Sequence, residues 1–225
     1  MISIKYLFSR VIRIFRNILI IFLGTIVLYV LLIKADRFFG RDNSVKVGDK
    51  SLKYSYVSIS KGDIIFKVSS FLFANSQYPS LGCIPGHLAI CLTDTIMPIN
   101  KVDFKNIIVA ESSLFNLKEK KLDPSTKINS SDNNFGYASG RLFLLKNSLN
   151  AEQVKKLYEF TAYRNGIPYK LFAGKEDTTS YNCATYVWQA LKYAADLDVD
   201  ANGGQMVLPA DILNYYMKKG DAILF

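Results

Sequence analysis

Residues 86–92 are Gly-His-Leu-Ala-Ile-Cys-Leu, and residues 107–111 are Ile-Ile-Val-Ala-Glu. Both segments are short and mostly apolar, and the stretch between them contains the turn-forming residues Asp94, Pro98 and Asn100. This pattern predicts two buried β-strands that pair antiparallel across a turn near residue 99.

Further strands and helices are predicted on both sides of this pair. Asn150 followed by Gln153 is a capping-box pattern, which predicts a helix that runs to about residue 164. Strands grouped ahead of packed helices predict an α+β fold, in which a small antiparallel sheet packs against helices. The other predicted strands are 54–58, 61–67, 141–145 and 222–225, and the other predicted helices are 69–74, 184–195 and 209–217.

Residues 116–140 are polar, and Asp, Ser, Asn and Gly cluster around positions 129–136. This composition is typical of turns and irregular segments. We therefore predict a surface loop over residues 116–140.

The positive charge of the chain is concentrated near its N-terminus. The net charge is +9, and residues 1–41 hold seven basic side chains and one acidic side chain, which leaves +3 for the remainder. The remainder has no basic cluster interleaved with aromatic residues, as a nucleic-acid-binding surface would need. We therefore expect no nucleic-acid partner.

The N-terminal charges flank an apolar segment, residues 17–33, which contains no charged side chain. A helix of this length spans roughly 25 Å, the short end of what crosses a bilayer. A cleaved signal peptide is the alternative, but Ile33-Lys34-Ala35 is not a small-x-small cleavage site. We expect residues 1–35 to form an uncleaved anchor, residues 36–53 a polar linker, and residues 54–225 the folded domain.

The chain has three cysteines, Cys83, Cys91 and Cys183, and one histidine, His87. An odd number of cysteines without C-x-x-C spacing argues against a disulfide framework and against a four-ligand zinc site. A disulfide between Cys83 and Cys91 is the alternative that the sequence leaves. Without it, both cysteines are predicted to pack as small apolar residues. We expect no metal ion and no cofactor.

Cys183 is predicted to begin a helix, where the N–H groups and dipole of the helix stabilise a thiolate. An imidazole stabilises it further, and His87 is the only candidate in the chain. If the strands pair about residue 99, opposed residue numbers sum to 198, and Glu111 lies opposite His87, whose ring it can orient. Each residue alone is more often structural, but together they predict Cys183 as nucleophile, His87 as base and Glu111 as orienting residue.

Five motifs occur in a defined order: Gly62-Asp63-Ile64-Ile65-Phe66, the strand opening with His87, the strand ending with Glu111, the helix opening with Cys183, and Leu208-Pro209-Ala210-Asp211-Ile212. In this order they resemble the YiiX/YebB-like permuted papain-like hydrolases, relatives of the NlpC-type cell-wall peptidases. The resemblance covers roughly residues 54–213, and histidine before cysteine is the circularly permuted order. The chain departs from the pattern at Ala184, where relatives often have serine, and this leaves substrate specificity open.

The resemblance implies a permuted papain-like fold and a cysteine peptidase or amidase that cleaves a peptidoglycan-type amide bond through an acyl-enzyme on Cys183. A lipid acyl hydrolase or acyltransferase is the alternative on the same fold, and a non-catalytic, membrane-tethered binding module is an alternative of another class. Apolar residues lining the cleft would favour lipids, whereas basic residues would favour wall peptides. Together with the anchor, the resemblance implies a single-pass protein of a bacterial cytoplasmic membrane whose domain lies on the outer, periplasmic side.

Overall fold

The structure is a computed structural model, which describes residues 4–39, 56–67, 86–98, 102–136 and 142–224. These residues form four α-helices and two antiparallel sheets, an α+β arrangement as predicted. The helices are α1 (Ile4–Phe39), α2 (Ala151–Tyr163), α3 (Cys183–Ala195) and α4 (Pro209–Lys219). The strands are β1 (Tyr56–Ile59), β2 (Ile64–Lys67), β3 (His87–Cys91), β4 (Thr95–Pro98), β5 (Ile108–Asn116), β6 (Lys121–Ser130), β7 (Leu142–Leu145) and β8 (Ala222–Leu224).

The larger sheet has six antiparallel strands in the order β6-β5-β3-β2-β7-β8, and β1 pairs with β4 in a separate two-stranded sheet. The prediction of one small antiparallel sheet is therefore correct in strand direction and incomplete in extent. Both faces of the larger sheet are covered. Leu88 and Ile90 face the core formed with α2, α3 and α4, and Ala89 and Cys91 face a second core formed with β1 and β4.

The pairing of β3 with β5 differs from the predicted register. Ile90 lies opposite Ala110 and Cys91 opposite Val109, so opposed residue numbers sum to 200 rather than 198. The connection contains the strand β4, which pairs with β1, and residues 99–101 lie outside the described residues. A shift of two residues leaves every side chain on its predicted face of the sheet. His87 and Glu111 are therefore diagonal neighbours on one face rather than directly opposed residues.

The prediction of a surface loop at residues 116–140 is wrong over much of its length. Residues 121–130 form β6, which pairs with β5 from Ile108↔Ser130 to Asn116↔Lys121. β6 is an outer strand of the sheet, and outer strands tolerate charged side chains and even Pro124. Polar composition alone therefore does not separate such a strand from a loop. Residues 137–140 lie outside the described residues.

The predicted helices at 150–164, 184–195 and 209–217 are confirmed to within two residues at each end. At the start of α2, the Asn150 side chain accepts from the Gln153 N–H and the Gln153 side chain accepts from the Asn150 N–H, which is the predicted capping box. The last predicted strand is confirmed as β8, which pairs with β7. The short helix predicted at 69–74 lies outside the described residues.

Helix α1 contains the segment predicted as a membrane anchor. Large apolar side chains along it, from Ile12 to Leu31, are exposed. Among the described residues, no helix combines the length and the apolar character needed to cross a membrane. The anchor at residues 1–35 stays a prediction. The helix continues to Phe39, inside the predicted linker, and residues 40–55 lie outside the described residues.

The carboxylate of Asp63 holds the turn that leads into β2. It accepts from the Ser60 N–H and the Asn147 N–H, each at 2.8 Å, and pairs with Lys146, and its side chain is fully buried. Gly62 has a φ of +90°, and a Cβ there would collide with Leu149. Gly62 and Asp63 thus join β2 to the segment that follows β7.

We expect Asp63→Ala to lower the free energy of unfolding by about 3 kcal/mol, because two backbone N–H groups and Lys146 lose a buried acceptor. Urea denaturation measures this change. The matched control is Glu159→Ala, whose side chain is 52% exposed and pairs with Lys155 at the surface of α2. The control should leave the midpoint nearly unchanged, and equal losses in the two variants would contradict the assigned role of Asp63.

Candidate active site

Cys183 is the first residue of α3, and the helix packs against β3 and β5. The Asn182 side chain caps this helix by accepting from the Ala184 and Thr185 N–H groups, at 2.9 and 2.8 Å. The Cys183 N–H has no acceptor within the helix, because the first helical residues lack one. The Cys183 thiol donates to the Gly86 carbonyl at 3.8 Å, which places the sulfur beside the start of β3.

His87 is the first residue of β3 and lies between Cys183 and Glu111. Its Nε2 is 2.6 Å from Oε2 of Glu111, and the Cys183 side chain is near enough to the ring to raise the pKa of His87. The ring packs against Phe135, with centroids 5.3 Å apart, which restricts its rotation. The structure therefore brings together all three residues that the sequence singled out.

Glu111 lies in the middle of β5, not at the end of a strand as predicted, and only 1% of its side chain is exposed. Its second oxygen, Oε1, accepts from the amide groups of Asn129 and Asn134, at 3.1 and 2.6 Å. Burial opposes ionisation, but the charge of His87 and the three hydrogen bonds outweigh it and hold the pKa of Glu111 below its ordinary value. Glu111 is thus a buried carboxylate whose negative charge faces His87.

Burial of His87 disfavours its charged form, but hydrogen bonds and charge from Cys183 and Glu111 have the larger combined effect. They raise the pKa of His87 from 6.5 to about 9. The imidazole is therefore protonated at neutral pH. A protonated ring beside a helix-start cysteine is the arrangement that stabilises a thiolate as an ion pair.

Asn129 and Asn134 belong to the candidate site through their hydrogen bonds to Glu111, and the sequence did not reveal them. Both belong to the stretch predicted to be a loop, where asparagine is ordinary. Only the pairing of β5 with β6 could have revealed Asn129. Lys127 lies opposite Glu111 in this pairing, so Asn129 is the diagonal neighbour of Glu111. Without the strand β6, nothing in the sequence connects these amides to the carboxylate.

A cleft of about 330 Å³ opens in front of Cys183 and His87. Its walls are mostly apolar, and its only described charged residue besides the histidine is Lys67. The lining residues are Lys67, Gly86, His87, Ser113, Leu114, Phe115, Leu117, Asn134, Tyr169, Leu171, Asn182, Cys183, Leu208 and Pro209. Its size and its few polar groups on apolar walls are typical of small-molecule sites.

Cys91 takes no part in the candidate site. Cys91 is a free thiol that is fully buried in the second core, and burial raises its pKa. It is therefore a packing residue, as predicted, and forms no disulfide. Cys83 lies outside the described residues. Across the described ranges, no group of three His, Cys, Asp or Glu side chains is placed to hold a metal ion.

Comparison with known proteins adds a structural neighbour. No protein-family profile matches the chain, and no curated protein matches it. Among solved structures, the chain is similar to the "metalloprotein yiiX from Escherichia coli O157:H7, DUF1105", with a TM-score of 0.48 and 14% identity. The similarity covers 73% of this chain and 95% of that one.

Because the chain has one histidine, its imidazole gives a single set of NMR signals. We expect the Cε1 proton of His87 to titrate with a pKa of about 9 in the full-length protein. Glu111→Gln should move that pKa toward the ordinary value, since it removes the charge beside the ring. Asn134→Ala should have a smaller effect in the same direction. A pKa near 6.5 in all three proteins would contradict the described pair.

The raised pKa of His87 also predicts a dependence of stability on pH. A folded-state pKa above the unfolded value gives stability that is fully present below about pH 6.5 and is lost as the pH rises through about 9. Urea unfolding between these limits should show a loss of about 3 kcal/mol in the wild type that is absent in His87→Asn. Parallel pH profiles for the two proteins would show that His87 is not the responsible group.

Proposed function

We propose that this protein is a thiol hydrolase of the permuted papain-like kind, in which Cys183 is the nucleophile, His87 the base and Glu111 the orienting residue. The observation that carries the proposal is that Cys183 and His87 line one open cleft, and that His87 is hydrogen bonded behind it to the buried Glu111. Nucleophile, base and orienting group in contact are the parts that this chemistry needs.

The reaction is acyl transfer. The Cys183 sulfur attacks a carbonyl carbon, a C–S bond forms, and the carbonyl oxygen becomes an oxyanion. The Cys183 N–H, which α3 leaves without an intrahelical acceptor, donates to that oxygen. His87 gives its proton to the leaving nitrogen or oxygen as the bond to carbon breaks. Water then attacks the thioester, His87 takes a proton from it, and the acid leaves.

Two substrate classes fit this reaction. An amide bond of a peptidoglycan-type peptide is supported by the resemblance of the five motifs. A lipid acyl group is supported by the lining of the cleft, where Leu114, Phe115 and Leu171 outnumber Lys67, the one described basic residue besides His87. Because an apolar lining favours lipids and a basic lining favours wall peptides, the cleft favours the lipid acyl class.

We further propose that residues 1–35 tether the domain to a bacterial cytoplasmic membrane, with the domain on the periplasmic side. The apolar segment 17–33 and the basic residues before it support this proposal. A non-catalytic tethered module is the alternative, and the reactivity of Cys183 separates the two.

We expect iodoacetamide to alkylate Cys183 of the full-length protein in detergent much faster than an ordinary thiol at about pH 6.5, where a free cysteine is only about 1% thiolate. His87→Ala should slow this alkylation at least roughly tenfold, because the thiolate loses its partner. Glu111→Gln should give an intermediate rate. Mass spectrometry of the peptides assigns each rate to its cysteine.

The buried thiol of Cys91 serves as an internal control and should stay unmodified in the folded protein. Cys183→Ala should abolish the fast phase. A Cys183 rate equal to that of a reference peptide, and unchanged by His87→Ala, would overturn the enzyme proposal and favour the binding module.

A further inference from the structure

The second half of α3 borders a cavity that shares no lining residue with the cleft at Cys183. This cavity has a volume of about 850 Å³ and opens between α2, α3 and the segment 174–178. Cys183 is the first residue of α3, and the helix lines the cavity from Trp188 to Tyr193. At about 1.5 Å per residue, the lining lies roughly 8 to 15 Å from Cys183 along the helix axis. One helix therefore carries two separate concave sites.

Aromatic rings from α2 and α3 form much of this cavity. Phe160 of α2 packs against Tyr193 of α3, with ring centroids 5.7 Å apart, and Trp188 is buried. Tyr163 and Tyr193, in contrast, are 80% and 57% exposed. Large exposed rings that meet at one concave site indicate a surface that binds a partner with flat apolar faces.

Hydrogen bonds hold the segment 174–178 against the end of α2 and the middle of α3. The Gln189 amide donates to two backbone carbonyls of this segment, at 3.0 and 2.9 Å, and Arg164 donates to the Thr178 carbonyl at 3.0 Å. The Arg164 guanidinium also lies over the Tyr163 ring, 5.2 Å from its centroid, which favours one orientation of this exposed ring. The cavity is therefore formed before a ligand binds, as small-molecule sites usually are.

The charges that line the cavity balance each other. Glu159 and Glu176 contribute two carboxylates, and Arg164 and Lys192 contribute two cations. A charged ligand therefore gains no net attraction from the lining. Carboxylates only accept hydrogen bonds and the two cations only donate them, whereas a hydroxyl group does both and can pair with either kind. The lining thus favours a neutral ligand that carries hydroxyl groups.

A proline-rich peptide is another ligand that binds in aromatic-lined grooves. The backbone carbonyls of such a peptide need donors in the groove. Here the indole N–H of Trp188 already donates to Asp198 at 2.8 Å, and the Gln189 amide donates to the segment 174–178. Because these donors are engaged within the protein, the lining favours a hydroxylated ring over a peptide.

We propose that this cavity is a carbohydrate site that binds a neutral oligosaccharide. The apolar faces of its pyranose rings stack on Tyr163 and Tyr193, and its hydroxyl groups bond to the charged side chains of the lining. Binding here needs no reaction at Cys183, so the proposal goes beyond the hydrolase. The site holds the domain on a glycan while the cleft stays open, since the two sites share no lining residue.

The single tryptophan of the chain, Trp188, lines the cavity and serves as the reporter of binding. The probe, N,N′,N″-triacetylchitotriose, is titrated into the full-length protein in a polyoxyethylene detergent, because a detergent with a sugar head group would compete. We expect a saturable change in tryptophan fluorescence, with a Kd at least roughly tenfold lower than that of N-acetylglucosamine, since further rings stack. The Kd should not depend on the NaCl concentration, because the ligand is neutral. Calorimetry measures the same Kd without the reporter.

Two substitutions test the stacking rings. Tyr163→Leu and Tyr193→Leu keep an apolar side chain but remove the ring, and each should weaken binding of chitotriose at least roughly fivefold. The matched control is Tyr56→Leu, which replaces a tyrosine of β1 that is 64% exposed and should leave the Kd unchanged. The alkylation rate of Cys183 should be the same in all three variants, which checks that the fold and the candidate active site are intact.

The absence of saturable binding by both measurements, or equal losses in Tyr163→Leu and Tyr56→Leu, would overturn the carbohydrate site. Tighter binding of hexaproline would assign the cavity to a peptide instead, and tighter binding of the acidic trigalacturonate would contradict a neutral ligand. Alkylation of Cys183 is measured separately. Loss of sugar binding with rapid alkylation therefore leaves the proposed hydrolase standing, and slow alkylation with sugar binding overturns the hydrolase alone.

Discussion

An ionised carboxylate in a protein interior depends entirely on the groups around it, and Glu111 is such a carboxylate. Burial alone would favour its protonated form, in which it could not stabilise a positive charge on His87. The protonated ring and the two amides of Asn129 and Asn134 reverse that preference. These groups come from β3, β6 and the turn after β6. The site therefore requires β5 to be paired on both sides in its native register.

In two of the five sequence motifs, the acidic residue stabilises the fold and is not one of the three side chains of the candidate site. Asp63 accepts from the Ser60 N–H before β2 and from the Asn147 N–H after β7, and Asp211 accepts from the Leu208 N–H at 2.8 Å at the start of α4. Asp211 also accepts from the side chain of Asn202, and it is 1% exposed. The five motifs thus contain the three side chains of the candidate site and two buried carboxylates that hold a turn and a helix start.

Local signals were sufficient for part of the fold and for the three central residues. The capping box at Asn150 can be recognised from four consecutive residues, and the single histidine of the chain is the only candidate for the base. Strand register and strand pairing depend on residues far apart in the sequence, and they could not be predicted in this way. The β3–β5 register was predicted from an assumed hairpin, and it differs by two residues because β4 leaves the connection to pair with β1. A difference of two residues does not change the face on which a side chain lies, so His87 and Glu111 still lie on the same face of the sheet. Asn129 was missed because its role exists only through the pairing of β6.

Strand β6, which the polar composition had led us to predict as a loop, contributes both to the candidate site and to the shape of the cleft. Toward β5, β6 supplies Asn129 to the Glu111 carboxylate. Along its outer side, Thr126 donates its N–H to the Ile167 carbonyl and Pro124 accepts from the Tyr169 N–H, at 2.8 and 3.0 Å. These bonds hold the segment that carries Leu171 into the cleft. Any displacement of β6 would loosen the carboxylate and the apolar wall together. Because one strand supports both, the position of Glu111 beside His87 and the position of Leu171 in the cleft depend on the same strand.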